Sequence, residues 1–236
     1  TPWGKAINYD DRYADGVINY VVQNALMWLR DYHIDGLRLD AIHAIYDFSA
    51  KHIMQELAEQ VEKLNKQTGK NRYLIAESAL NDSRYINSRD KGGYGLDCQW
   101  SDDFHHGLHA LVTGEKSGYY MDFTDPAMLK KAYTNAFAYD GQFSEFRKRH
   151  FGNTPKSNPA SQFVVFSQNH DQTGNRKFGD RLSSMVRFEI LKVIAGAVFV
   201  SPYLPMLFMG EEYGETNPFL YFVDHNDEKL NERVRK

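Results

Sequence analysis

Ile34-Asp35-Gly36-Leu37-Arg38-Leu39-Asp40 is a short run of alternating apolar residues that ends on a carboxylate, and the alternation predicts a β-strand. The segment before it, 15–32, carries apolar side chains at helical spacing: Ile18, Val21, Val22, Ala25, Leu26 and Leu29. A helix that leads directly into a strand is typical of a parallel sheet covered by helices. We therefore expect an α/β fold.

The same alternation of helices and strands continues along the chain. A second helix, with Ser49 as its predicted N-cap and Gly69 just beyond its end, leads into a strand at 73–77. Further strands are predicted at 96–100, 163–168 and 205–209, and further helices at 103–113, from Asp125-Pro126 onward and at 181–199. The pattern predicts five strands in one domain, with a polar loop at 141–160 and a charged tail from 224 to 236.

The composition and net charge of the chain indicate which classes of partner it is expected to lack. Its 236 residues include 28 Lys and Arg against 31 Asp and Glu, a net charge of −3, so we expect neither a nucleic acid nor an anionic membrane as a partner. The longest apolar stretch, 193–200, is far shorter than the roughly 20 residues that span a bilayer. The single cysteine, Cys98, excludes an internal disulfide, and the first five residues lack the pattern of a signal peptide. A cytoplasmic protein is expected.

Polar residues end three of the predicted strands: Arg38 and Asp40, then Glu77, then Asn169-His170-Asp171. Because the carboxyl ends of parallel strands meet at one face, the three carboxylates should lie close together. Glycoside hydrolysis needs two such groups, one as nucleophile or base and one as acid, and Arg38 would hold Asp40 ionised. A carboxylate after a strand is also often an N-cap or a salt-bridge partner, so the pattern alone leaves both interpretations open.

Three segments resemble, in order, signature segments of the α-amylase family of glycoside hydrolases: Asp35 to Ala41, Ile75 to Ser78 and Phe166 to Gln172. The resemblance implies a (β/α)8 barrel in which Asp40 is the nucleophile, Glu77 the general acid/base and Asp171 the residue that stabilises the distorted sugar. It also implies retention of anomeric configuration, with the two catalytic carboxyls about 5–5.5 Å apart. No metal or organic cofactor is implied.

Within the family, the resemblance narrows to enzymes that hydrolyse the α-1,4 bond joining a terminal trehalose to a malto-oligosaccharide. Four segments carry it: 40–45, 76–82, 99–106 and 205–214. The implied substrate is malto-oligosyl trehalose or another α-glucan, and the residues expected to bind it are Arg38, His43, Asp102, Asp103, His106, His170 and Gln172. His105 and His109 share a helix face as in zinc proteases, but the glutamate that such a motif needs is absent, so no metal site is expected.

The family's first signature segment, which closes the third barrel strand, is absent from the sequence. We therefore expect residues 1–236 to form a partial TIM (β/α)8 barrel resembling strands 4 to 8 with their helices, the C-terminal part of a catalytic barrel without its first three βα units and flanking β domains. The two exposed sheet edges of such a half barrel predict self-association. Two alternatives stay open: another enzyme of the family, such as a glycogen branching enzyme, and a non-catalytic structural fragment.

Overall fold

Five short parallel strands lie side by side in the computed structural model, which describes residues 5–235. The strands along the chain are β1 (Gly36–Leu39), β2 (Tyr73–Ala76), β3 (Cys98–Trp100), β4 (Phe143–Ser144), β5 (Arg149–His150), β6 (Phe163–Val165) and β7 (Leu204–Pro205). The parallel sheet has the order β1-β2-β3-β6-β7, whereas β4 and β5 form a separate antiparallel hairpin. Because neighbours in the sheet follow one another along the chain, apart from the inserted hairpin, the predicted α/β fold is confirmed.

The α-helices lie before, between and after these strands along the chain. They are α1 (Ala14–Arg30), α2 (Ile53–Thr68), α3 (Asp102–Thr113), α4 (Pro126–Asn135), α5 (His170–Gly174), α6 (Leu182–Met185), α7 (Phe188–Phe199) and α8 (Glu228–Arg235). The main hydrophobic core packs helices against the sheet, with Leu29, Leu74, Phe104 and Phe163 almost fully excluded from solvent, and a smaller cluster is formed by Cys98, Trp100, Val164 and Phe166. No helix within residues 5–235 is long and apolar enough to cross a membrane.

The second helix starts later than its sequence predicts. Ser49 is not its N-cap, because the Ser49 hydroxyl donates to the carboxylate of Asp47 instead. The cap is His52, whose Nδ1 accepts a hydrogen bond from Met54 N at 3.1 Å. Histidine is not among the residues that usually cap helices, so the sequence predicted the nearby Ser49 as the cap instead. The predicted end is confirmed, because Gly69 adopts the left-handed backbone (φ 64°) that ends α2.

α3 and α4 form a helical insertion between β3 and β6. The predicted start of α4 is confirmed: the Asp125 carboxylate accepts from Ala127 N at 2.8 Å, and Pro126 takes the first helical position. Gly107 lets the two helices approach closely, since a Cβ there would lie 3.1 Å from the backbone of Leu129. The insertion therefore packs tightly and presents the N-terminus of α3 next to the end of β3.

The last two predicted elements differ from the structure. The single helix expected at 181–199 is broken into α6 and α7, because Val186 and Arg187 both adopt extended backbone. A β-branched valine favours this conformation over a helical one. The strand expected at 205–209 is instead the short β7, Leu204–Pro205, and its ladder with β6 ends with the hydrogen bond from Met206 N to Val165 O at 2.8 Å.

Candidate active site

Arg38 joins the ends of the first two strands. Its Nη1 lies 2.5 Å from Asp40 Oδ1, and its Nη2 lies 3.1 Å from Glu77 Oε1. The register of the sheet makes this possible, because Arg38 stands opposite Ile75, two residues before Glu77. One guanidinium group therefore compensates the charge of both carboxylates and holds them near each other.

The two carboxylates differ in their surroundings. The side chain of Asp40 is 78% exposed, whereas that of Glu77 is 17% exposed. Glu77 Oε2 also accepts a hydrogen bond from Ala41 N at 2.5 Å, so the turn that follows Asp40 is tied to the end of β2. Asp40 is thus open to a substrate, and Glu77 is fixed behind it.

The third carboxylate, Asp171, lies in the first turn of α5, directly after the segment that follows β6. Asn169 caps this helix, and its Oδ1 accepts from the backbone N–H groups of Asp171 and Gln172 at 2.9 and 3.2 Å. His170 Nε2 lies 3.7 Å from Asp171 Oδ1. The predicted Asn-His-Asp segment is therefore a helix start that presents His170 and Asp171 together.

Tyr221 is a site residue that the sequence did not indicate. Its hydroxyl is 3.2 Å from Asp171 Oδ1 and donates to the backbone carbonyl of His170 at 2.8 Å. Burial and the Asp171 carboxylate raise the pKa of Tyr221 to about 12. No local pattern marks a tyrosine in the irregular segment after 214, so only the fold reveals this contact.

Trp100, the last residue of β3, stands between the two halves of the site. The guanidinium carbon of Arg38 lies 4.6 Å from the centre of the Trp100 ring. The centres of the Trp100 and His170 rings are 6.3 Å apart, and the two rings meet edge to face. The indole thus links the pair Asp40 and Glu77 to the helix that carries Asp171. The three carboxylates predicted from the strand ends follow the carboxyl ends of β1, β2 and β6, at the same end of the parallel sheet.

Asp102 begins α3 immediately after β3. Burial, followed by the carboxylates of Glu77, Asp103 and Asp171, raises the pKa of Asp102 to about 7. A carboxyl group with this pKa is largely protonated below neutrality and can donate a hydrogen bond. Its place among the other carboxylates is consistent with the expected contact to substrate.

The raised pKa predicts a pH dependence of stability that depends on Asp102. Its ordinary pKa is 3.8, so between about pH 4 and 7 the unfolded chain releases this proton while the folded chain keeps it. The free energy of unfolding should therefore fall as the pH rises through this window, by up to about 4 kcal/mol. Urea unfolding at pH 4.5 and 8 should show a smaller fall for Asp102→Asn than for the wild type and for the exposed control Asp15→Asn; equal falls in all three would contradict the assignment.

Asp103, expected to bind substrate, faces the protein interior. Its Oδ2 accepts three hydrogen bonds, from Asn81 Nδ2 at 2.6 Å, Ala138 N at 2.8 Å and Tyr139 N at 2.9 Å. The residue is 2% exposed. The geometry supports a structural role, in which Asp103 holds the chain that leads from α4 into the β4–β5 hairpin.

Replacement of Asp103 tests this structural role. Asp103→Ala leaves buried backbone N–H groups without partners, and we expect a loss of about 3 kcal/mol in the free energy of unfolding. Chemical denaturation of the variant, beside the exposed control Asp90→Ala, measures the loss. A change below about 0.5 kcal/mol, the range of ordinary surface substitutions, would rule the role out.

The predicted histidines occupy two different environments. His43 lies next to Glu77, and its Nδ1 accepts from Ala79 N at 3.1 Å, which leaves Nε2–H free to donate. Burial lowers the pKa of His43, although the carboxylates of Glu77 and Asp40 act in the opposite direction and raise it. His106 is buried, with its ring 4.4 Å from the ring of Tyr119, and burial lowers its pKa well below the ordinary value. His43 thus keeps one ring nitrogen available next to Glu77, whereas His106 is packed in the interior.

The other two histidines of α3 have protein partners. His105 bonds the Ser167 carbonyl through Nδ1 and the Tyr120 hydroxyl through Nε2, and His109 Nε2 lies 2.9 Å from Glu115 Oε2. Within residues 5–235, no three His, Cys, Asp or Glu side chains are grouped so that they could hold a metal ion. The side chains that the structure brings together after the strand ends are carboxylates, a guanidinium group and imidazoles.

A family model for the catalytic domain of α-amylase matches residues 9–236 of this chain. The chain belongs to the α-amylase family. The structure accordingly represents part of a TIM barrel, and the predicted fold class is confirmed. The roles of individual site residues are inferred from their geometry and from their match to the family's segments.

Curated relatives narrow the resemblance. Malto-oligosyltrehalose trehalohydrolase of Saccharolobus solfataricus is 48% identical over 236 residues, and the enzyme of the same name from Arthrobacter ramosus is 47% identical over 235 residues. These matches cover 100% and 99% of this chain but 41% of each relative. A crystal structure described as a putative α-amylase from Salmonella typhimurium superposes with a TM-score of 0.88 at 39% identity, over 100% of this chain and 40% of that one. The predicted resemblance to trehalose-forming hydrolases is confirmed.

Proposed function

We propose that this chain carries the catalytic residues of a retaining glycoside hydrolase that releases trehalose from malto-oligosyl trehalose. The observation that supports it most strongly is the single guanidinium group of Arg38 between Asp40 and Glu77. A retaining enzyme needs its two catalytic carboxyls close together, about 5–5.5 Å apart, and the shared guanidinium group holds the carboxylates of Asp40 and Glu77 near each other. The relatives' names supply the substrate.

We assign a role to each carboxylate from its surroundings and from its match to the family's segments. Asp40, open to solvent, attacks the anomeric carbon of the glucosyl unit next to the trehalose, and the bond to the trehalose oxygen breaks. Glu77 gives its proton to that oxygen, so trehalose leaves as an alcohol, and then accepts a proton from the water that attacks the glucosyl-enzyme. Arg38 stays between the two groups while Asp40 is glucosylated and released and while Glu77 changes from acid to base. The oxygen atom of that water becomes bonded to the anomeric carbon, and the configuration at this carbon is retained.

The remaining site residues hold the sugar. Asp171, presented by the first turn of α5 and contacted by the Tyr221 hydroxyl, is placed to stabilise the positive charge that develops on the distorted ring. His43 Nε2–H, His170, Asp102 and Gln172 are available for sugar hydroxyls. Asp103 and His106 support this surface from behind, so we assign them to positioning rather than to direct contact.

The alternatives from the sequence are less well supported. The relatives that match along nearly the whole chain are named as trehalohydrolases, which favours hydrolysis over glucan branching. We propose that residues 1–236 correspond to the C-terminal part of the catalytic barrel, since the chain spans 41% of those relatives. Self-association through the sheet edges and a cytoplasmic location stay predictions.

Product analysis tests the proposed function. The full-length protein is incubated with malto-oligosyl trehalose and, in parallel, with a plain malto-oligosaccharide of equal length, and the products are separated by chromatography. We expect trehalose to be released from the first substrate much faster than glucose or maltose from the second. New branch points without trehalose would favour a branching enzyme instead, and no product from either would favour a non-catalytic chain.

A further inference from the structure

His105 is a buried residue of α3 that the proposed reaction does not use. It is 1% exposed. Its Nδ1 lies 2.5 Å from the carbonyl oxygen of Ser167, and its Nε2 lies 2.9 Å from the hydroxyl oxygen of Tyr120. Ser167 follows β6, and Tyr120 belongs to the segment between α3 and α4. The imidazole of His105 therefore joins that segment to the chain that leaves the sheet at β6.

The two contacts fix the position of the proton on the His105 ring. Burial, followed by the neighbouring His109, lowers the pKa of His105 to about 3, so the imidazole is neutral near neutral pH. A neutral imidazole has one N–H group, and the Ser167 carbonyl can only accept a hydrogen bond. Nδ1 therefore carries the proton and donates to Ser167, whereas Nε2 accepts from the Tyr120 hydroxyl.

Ser167 begins the short segment that leads to Asp171. Ser167, Gln168 and Asn169 are all buried. The Ser167 hydroxyl donates to the carboxyl group of Glu211 at the end of the sheet. Asn169 then caps α5, whose first turn carries Asp171. The position of the Asp171 carboxylate therefore depends on where this buried segment is held.

The backbone of the segment is held by the His105 ring. Within residues 5–235, no other group donates a hydrogen bond to the Ser167 carbonyl. A buried carbonyl that loses its donor is costly, so the chain at Ser167 would shift toward another donor. Because the segment continues directly into the cap of α5, the shift would move Asp171. A small displacement of a group that faces the reacting atoms is enough to slow catalysis.

α3 also holds the chain on the other side of Asp171. His109 Nε2 and Arg176 Nη1 both lie 2.9 Å from Glu115 Oε2, and Arg176 follows the end of α5. The His109 ring stacks on the ring of Tyr120, with the ring centres 4.2 Å apart. The contacts of α3 and of the segment after it therefore fix the chain both before and after Asp171.

We propose that His105 is a positioning residue for the hydrolysis: it holds the backbone at Ser167 so that the Asp171 carboxylate stands at the reacting sugar. The inference rests on the proposed function. Since His105 is enclosed by protein, it acts through Asp171 and not on the substrate itself. Asp171 is assigned to the charge that develops in the transition state, so loss of its position should lower kcat and leave KM nearly unchanged.

A double-mutant cycle with Asp171 tests the proposal. In the full-length protein, His105→Phe keeps an aromatic ring without an N–H group, whereas His105→Asn keeps an N–H donor close to the position of Nδ1. Both variants are assayed for trehalose release with Asp171 present and in the Asp171→Asn background. The matched control is Phe104→Leu, which removes apolar contacts from the same buried turn of α3 and no polar group. Thermal unfolding reports the folding of every variant.

We expect His105→Phe to lower kcat about tenfold while KM stays within about twofold of the wild type. His105→Asn should keep kcat within about threefold, and Phe104→Leu within about twofold, because both leave a donor at Ser167. In the Asp171→Asn background, the loss caused by His105→Phe should fall below about twofold. The same tenfold loss in both backgrounds, or an unchanged kcat in folded His105→Phe, would overturn the proposal.

Tyr120→Phe provides a second variant if His105→Phe does not fold. It leaves Nε2 of His105 without its donor, so the ring is held less firmly. We expect a loss in kcat of about threefold that also disappears in the Asp171→Asn background, and a loss that persists there would contradict the proposal. An Asp171→Asn variant that keeps the wild-type rate would instead contradict the role of Asp171 in the proposed function. The two failures are therefore distinguishable.

Discussion

Asp40→Asn is expected to reduce kcat for trehalose release by about 1000-fold or more, a rise in the activation barrier of about 4 kcal/mol. The amide is nearly isosteric with the carboxylate but is a poor nucleophile, so the covalent step is lost. Asp40 is 78% exposed, and its only side-chain contact within residues 5–235 is the one with Arg38. The fold should therefore tolerate the change, and steady-state assays of trehalose release should report chemistry alone.

The matched control is Asp35→Asn at the opposite end of the same strand. Asp35 precedes β1, and its side chain is exposed. We expect this variant to keep kcat within about twofold of the wild type. A value within tenfold of the wild type for Asp40→Asn itself, in a folded protein, would exclude Asp40 as the nucleophile.

Glu77→Gln is expected to lower kcat for malto-oligosyl trehalose by about 10²–10⁴-fold, because the leaving oxygen no longer receives a proton. An α-glucosyl fluoride needs no such proton, since fluoride leaves as an anion. With that substrate the first step should proceed, and the second should stall because no base activates water. We therefore expect a burst of fluoride, close to one per protein molecule, followed by slow turnover.

The exposed residue Glu189, in the first turn of α7, provides the control for Glu77. Glu189→Gln should leave the rates with both substrates unchanged. If Glu77→Gln released no burst of fluoride, so that the first step was lost with the fluoride as with the natural substrate, Glu77 would act on the position of the substrate or on the fold. A general-acid role would then be excluded.

The sequence was sufficient to predict those strands and helices whose residue pattern is local. Apolar runs predicted the five strands, three of which end on polar residues, and the alternation of Arg38 with Asp40 placed both on one face of β1. The contact of Arg38 with Glu77 could not be predicted in this way, because it depends on the register between two strands. The match to family segments, rather than the spacing of residues, connected these strand ends to glycoside hydrolysis.

Two features that the sequence did not indicate depend on contacts between distant parts of the chain. Asp103 was expected on the substrate surface beside Asp102, but backbone groups at 138 and 139 draw its carboxylate into the interior. Tyr221 reaches Asp171 across 50 residues of chain. The break between α6 and α7 was also invisible to the apolar pattern, since that pattern continues through Val186 while its backbone is extended.

The most direct test of the account is to locate the covalent intermediate. Glu77→Gln is incubated with an α-glucosyl fluoride, quenched and digested, and the peptides are analysed by mass spectrometry. We predict one added glucosyl group on the peptide that contains Asp40, and none when Asp40 is also replaced by Asn. A glucosyl group on another carboxylate, or product of inverted configuration without any labelled peptide, would contradict the retaining mechanism proposed for this chain.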